Sequence, residues 1–152
     1  MKKTVQREEL GSFVKAFLQE IEPKKDKATV LALFGNLGAG KTTFTQESAK
    51  YFGIKDVVTS PTFVIEKIYK LNSATPNGEV KFSQLIHIDA YRLTKGTELE
   101  TLGWKELVEN PSNVIFIEWP ENVEEVIPKD SIQITFDVVD ENSRSIDIRN
   151  RI

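Results

Sequence analysis

The chain has 152 residues, 39% hydrophobic and 28% charged, which is the length of one ordinary domain and the mix of a soluble globular protein. A formal net charge of −3 argues against a protein that grips a nucleic-acid backbone directly, since that takes a basic face; RNA handled through a partner remains open. With no cysteine and one histidine, disulfides, thiolate zinc sites, cysteine nucleophiles and histidine-rich metal centres are excluded.

Met1-Lys2-Lys3-Thr4 is basic, but no apolar stretch follows it, so a secretory signal is not expected. No apolar run approaches the roughly 20 residues of a membrane span. The expectation is a cytoplasmic protein without a membrane partner. Glu8 to Ile21 then places Leu10, Phe13, Val14, Phe17, Leu18 and Ile21 on one face of an amphipathic helix, which Pro23 and the lysine-rich residues after it end. Thr29 to Phe34 is a continuous apolar run, short enough for a strand buried on both faces. A glycine-rich turn follows, and Lys41 to Phe52 reads as a helix closed by Gly53.

Thr62 to Tyr69 alternates, with Phe63, Ile65 and Tyr69 expected on one face of a strand. Pro76-Asn77-Gly78 signals a turn, and Lys81 to Asp89 is the next strand, so these two predict an antiparallel hairpin. Thr97 to Glu109 has a helical pattern weakened at Gly103. Val114 to Glu118 is a short apolar strand. The alternating pairs Ile132 to Val138 and Ile146 to Ile152 flank Asp140-Glu141-Asn142-Ser143 as a terminal hairpin. With no internal repeat, low-complexity segment or linker, residues 1–152 read as a single α/β domain with antiparallel additions.

Gly35-Asn36-Leu37-Gly38-Ala39-Gly40-Lys41-Thr42 satisfies the Walker A pattern of a phosphate-binding loop, between a buried strand and a helix as that motif requires. Glycines let successive backbone N–H groups converge on phosphate oxygens, and the helix adds its N-terminal dipole. Lys41 supplies a point charge to the outer phosphates and Thr42 a hydroxyl to magnesium. The ligand implied is a magnesium–nucleoside triphosphate, with ATP favoured because no Asn-Lys-x-Asp sequence is present to read guanine.

A magnesium nucleotide also needs a carboxylate at a neighbouring strand end. Asp89 and Glu118 both close apolar strands, and the spacing alone does not say which holds the metal and which positions water. Thr62, in Ser60-Pro61-Thr62-Phe63, sits where such proteins sense the γ-phosphate, against the plainer reading of a proline-stiffened loop. Arg92 is either a charge-stabilising group or a loop anchor. His87 alternates into its strand and reads as a packed core histidine rather than a base. Trp119 and Pro120 shape a site rim or simply pack.

Taken in order, Gly35 through Thr43, Ser60-Pro61-Thr62-Phe63, His87-Ile88-Asp89-Ala90-Tyr91-Arg92-Leu93, Glu98 through Gly103 and Ile117-Glu118-Trp119-Pro120 resemble the TsaE family, over about Leu10 to Pro128. These are small bacterial ATPases of tRNA threonylcarbamoyladenosine synthesis. The resemblance implies a P-loop NTPase fold: a mixed, mostly parallel central sheet with helices on both faces and antiparallel hairpin additions. It further implies binding and hydrolysis of ATP with Mg2+, in company with a two-protein complex of the TsaD/TsaB type. That complex transfers threonylcarbamoyl to an adenosine beside the anticodon, so tRNA is met only indirectly.

Carried over motif by motif, Asn36, Leu37, Gly38, Ala39, Gly40, Lys41, Thr42 and Thr43 would hold the nucleotide. Thr42 and Glu118 would ligate magnesium, and Asp89 would assist hydrolysis beside Lys41 and Thr62. The family's N-terminal segment helps bind adenine; here Arg7-Glu8-Glu9 lacks the hydroxyl residue expected there. Slow intrinsic turnover is expected, because no obvious arginine finger is supplied in cis. The competing readings are a small-molecule kinase using the same loop, which would phosphorylate an acceptor, and a nucleotide-dependent scaffold whose hydrolysis is incidental.

Overall fold

Alternating faces of one sheet organise the molecule. The structure, a computed structural model, describes residues 1–55, 58, 65–71 and 80–150. Seven strands are described: β1 (Lys2–Gln6), β2 (Thr29–Phe34), β3 (Glu66–Lys70), β4 (Gln84–Asp89), β5 (Asn113–Glu118), β6 (Ile132–Asp140) and β7 (Ser143–Arg149). They form one sheet in the order β1-β7-β6-β2-β5-β4-β3. The centre is parallel, with β2 paired to β5 and β6 and β4 paired to β5; the flanking pairs β1–β7, β6–β7 and β3–β4 are antiparallel.

Period-two alternation splits the core into two layers. Leu31, Leu33, Leu85, Phe116, Ile134 and Phe136 point to the side covered by α1 (Leu10–Gln19) and α2 (Lys41–Tyr51). Phe44 of α2 is central there, its ring centroid 5.4 Å from that of Phe136, 6.1 Å from Phe17 and 6.3 Å from Phe116. Val30, Ala32, Ile86, Ile88, Ile115 and Ile117 point the other way, onto α3 (Thr97–Glu100), α4 (Trp104–Glu109) and a 3-10 segment, Pro120–Val126. The expected α/β class, with helices on both faces and antiparallel additions, is therefore observed.

Several details differ from expectation. The first helix begins at Leu10 because Arg7–Glu9 forms a 3-10 turn instead. Thr97 to Glu109 is two short helices rather than one, because Gly103 adopts φ +84° and re-aims the chain between them. Ile65 and Tyr69 do not share a face: Ile65, at φ +65°, precedes β3 and packs in the α3/α4 layer, whereas Tyr69 packs in the α1/α2 layer. β1 was not anticipated. Only Val5 among its five residues is buried, so hydrophobic pattern is nearly silent there and pairing to β7 makes the strand. Phe63, the Pro76-Asn77-Gly78 turn and Ile152 lie outside the described residues. Among the described residues, no helix is long and apolar enough to cross a membrane.

Candidate functional site

Parallel pairing brings the ends of three strands to one edge of the sheet. Leu33 of β2 lies opposite Glu118 of β5, which lies opposite Asp89 of β4. The chain leaves β2 at Gly35, whose φ is +150° and where an added Cβ would come within 2.8 Å of the Phe136 carbonyl oxygen. A side chain there would push the loop off β6, so this close approach requires glycine. Gly38 and Gly40 continue the curve at φ +77° and +113°, and Gly40 forms the N-cap of α2, accepting a 2.9 Å bond from the Phe44 amide. The helix ends as expected: Gly53 at φ +80° lets its own amide reach Lys50 and that of Ile54 reach Ala49.

Lys41 and Thr42 thus open a helix aimed at two strand-end carboxylates. The Lys41 ammonium folds back onto the loop, donating to the carbonyls of Gly35 and Asn36. It also lies 4.1 Å from the centroid of the Trp119 ring, a cation–π contact. Burial pulls the Lys41 ammonium below its ordinary pKa, although Glu118, Glu121 and Asp89 act in the opposite direction. Trp119 is itself held at φ +58°, with the Tyr91 ring packed against it in a tilted contact, centroids 5.1 Å apart. The side-chain amide of Asn122 binds the Ala90 carbonyl at 3.0 Å, tying this turn to the end of β4.

The Thr42 hydroxyl donates to both oxygens of Glu118, at 3.1 and 3.2 Å. Asp89 is placed differently, its Oδ1 accepting from the Tyr91 amide at 3.0 Å. Both carboxylates are nearly buried, at 3% and 6% exposure. A hydroxyl beside a buried carboxylate is the hard-oxygen pair that Mg2+ takes, with waters and phosphate oxygens completing an octahedron. Glycine-rich backbone, ammonium and this pair together suit a polyanion with its cation.

A cavity of about 400 Å3 lies over the loop, bordered by Asn36 through Thr43, Asp89, Glu118 and Trp119. Its size is that of a small-molecule site. Thr62 lies outside the described residues, so its expected place is left open. Arg92 is exposed and does not border the cavity. Gln6, Arg7, Asn142 and Arg144 border the far wall of the same space; the resemblance pointed to the N-terminal segment at Arg7, but sequence reasoning missed Asn142 and Arg144. Arg144 donates to the Gly38 carbonyl at 3.4 Å and to the Asp140 carbonyl at 2.7 Å, clasping the β6–β7 turn to the loop. No motif signals Asn142 and Arg144, since long-range strand pairing brings them there.

The family model described as "Threonylcarbamoyl adenosine biosynthesis protein TsaE" matches residues 4–146. The chain belongs to the TsaE family. Relatives carrying the name tRNA threonylcarbamoyladenosine biosynthesis protein TsaE include one from Rickettsia typhi, 34% identical over 93% of this chain and 88% of its own length. Another, from Bacillus subtilis, is 35% identical over 95% of this chain and 81% of its own. The crystal structure of Bacillus subtilis YdiB superposes with a TM-score of 0.72 at 30% identity, covering 97% of this chain and 83% of that one. The match to the TsaE family takes in most of β1 and most of the terminal hairpin, beyond the Leu10 to Pro128 stretch that carries the motifs.

Proposed function

We propose that this TsaE-family chain is a P-loop ATPase that binds Mg–ATP in the cavity over Gly35–Thr43 and hydrolyses it in the service of tRNA threonylcarbamoyladenosine formation. The observation that carries this reading is the Thr42–Glu118 hydroxyl–carboxylate pair at the start of α2, beside Lys41. Amides of Gly38 through Thr43 receive phosphate oxygens, with the N-terminal dipole of α2 behind them. Lys41 exchanges its two carbonyl partners and the Trp119 face for the outer phosphates, and their charge offsets the cost of its burial. Thr42 and Glu118 hold magnesium. When bound, the ion neutralises charge on the outer phosphates.

Asp89, two residues along β4 from His87 and directly opposite Glu118, orients the attacking water and accepts its proton. Thr62 is assigned to the γ-phosphate on sequence grounds alone. Asn36 and Leu37 border the phosphates. The nucleoside lies toward Gln6, Arg7, Asn142 and Arg144, which supply amide and guanidinium donors where the family's usual hydroxyl residue is missing. The partner is a two-protein transferase complex of the TsaD/TsaB type, through which tRNA is met indirectly, in the cytoplasm.

Turnover is slow alone and stimulated by that complex. Phosphate release measured with and without the purified partner pair tests this. Stimulation of at least several-fold supports the reading, and unchanged release refutes it.

A further inference from the structure

The buried face of β4 carries a histidine to which the reading above gives no task. His87 is fully buried, and its Nε2 lies 2.7 Å from Oε2 of Glu118. The bond runs diagonally across the sheet, since the strand partner of His87 is Phe116. Nδ1 has no hydrogen-bond partner among the described residues. That asymmetry selects the tautomer. A proton on Nε2 is matched by the carboxylate, whereas a proton on Nδ1 would be a buried donor with nothing to accept it.

Glu118 is therefore held from two sides: the Thr42 hydroxyl spans both oxygens, and His87 engages Oε2 alone. Imidazole restraint of one carboxylate oxygen fixes the rotation of the group and leaves the other oxygen directed. We propose that His87 is the positioning residue of the magnesium site, holding Oε2 so that Oε1 of Glu118 is presented beside the Thr42 hydroxyl. This rests on the reading of Thr42 and Glu118 as magnesium ligands. Outer partners of metal-binding carboxylates commonly govern metal affinity by 10–100-fold, roughly the effect expected here.

If His87 only fills space, an apolar residue of similar volume serves equally well. The test compares His87→Leu, which fills the space without a donor, His87→Gln, whose amide can reach where Nε2 stands, and His87→Asn, whose shorter side chain carries a donor that falls short of Glu118. Calorimetry measures affinity for a non-hydrolysable ATP analogue with magnesium and with chelator, and thermal melting without nucleotide monitors packing. Affinity in chelator is expected to be unchanged in all three. The gain on adding magnesium is expected to fall by about 10–100-fold in the Leu and Asn variants and to recover in Gln. A full magnesium gain in folded His87→Leu or His87→Asn overturns the inference, as does a Gln variant as impaired as Leu. Should the Leu variant not fold, the Asn and Gln pair decides alone. A wild-type protein with no magnesium gain overturns the ligand reading beneath it, a distinguishable failure.

Discussion

Single side chains at the sheet edge give different partners to two carboxylates that look equivalent in sequence. Glu118 is bonded to the Thr42 hydroxyl, whereas Asp89 spends Oδ1 on the Tyr91 amide. Spacing alone leaves Asp89 and Glu118 interchangeable, because each closes an apolar strand. Only the register of β2, β4 and β5 separates them. Glu118→Gln is expected to weaken magnesium-dependent binding of an ATP analogue by about ten- to a hundredfold, the worth of a charge-assisted contact. Asp89→Asn should leave that binding largely intact and slow phosphate release instead. Titration of both variants with and without magnesium reads the order, and a reversed order would exchange their roles. The loop residues Gly35 to Thr42 are legible as a local motif. Arg144 and Asn142 are not, since no motif near them in sequence marks them as lining the cavity.

Elements were legible where burial imposes a period and obscure where it does not. β2, β5 and the inward positions of β6 declare themselves through apolar runs or alternation, because both or one of their faces must leave water. β1 has one buried residue and is an edge strand made by backbone bonds, which sequence pattern does not record. The helical pattern over Thr97 to Glu109 is real, but Gly103 divides it.

Between α1 and β2 the chain is fastened to the start of β6 by Asp130, whose Oδ2 lies 2.7 Å from Lys24 and 2.6 Å from Lys27. Hydrogen bonds from these two lysines hold its carboxyl down to about 2 from an ordinary 3.8. A depressed folded-state pKa means the contribution is complete above the ordinary value and lost as pH falls through about 2. The group is partly exposed, so screening limits the effect to about 1 kcal/mol or less. Asp130→Asn is expected to cost that much in urea unfolding at neutral pH, with the gap to wild type closing in acid. A gap that stays constant into strong acid would contradict the assignment.

Over the whole molecule, strand order was beyond the sequence. β1 and β7 pair Lys2 with Asp147 across nearly the full chain, and local pattern carries no record of such a contact. That order matters for chemistry, since it lays the β6–β7 turn and the N-terminal strand along one wall of the cavity while β4 and β5 supply the other. One surface thus joins the glycine-rich loop, the Thr42–Glu118 pair and the wall of Gln6, Arg7, Asn142 and Arg144, which the proposed function reads as phosphate cradle, cation site and nucleoside wall. In the proposed function this surface binds a magnesium triphosphate through Lys41. Calorimetric titration of wild type and Lys41→Ala with a non-hydrolysable ATP analogue, with magnesium and with chelator, decides this. One saturable site is expected, tighter with magnesium, with a loss of about ten- to a hundredfold in Lys41→Ala. Equal affinity in the two proteins, or no binding by wild type, would contradict it.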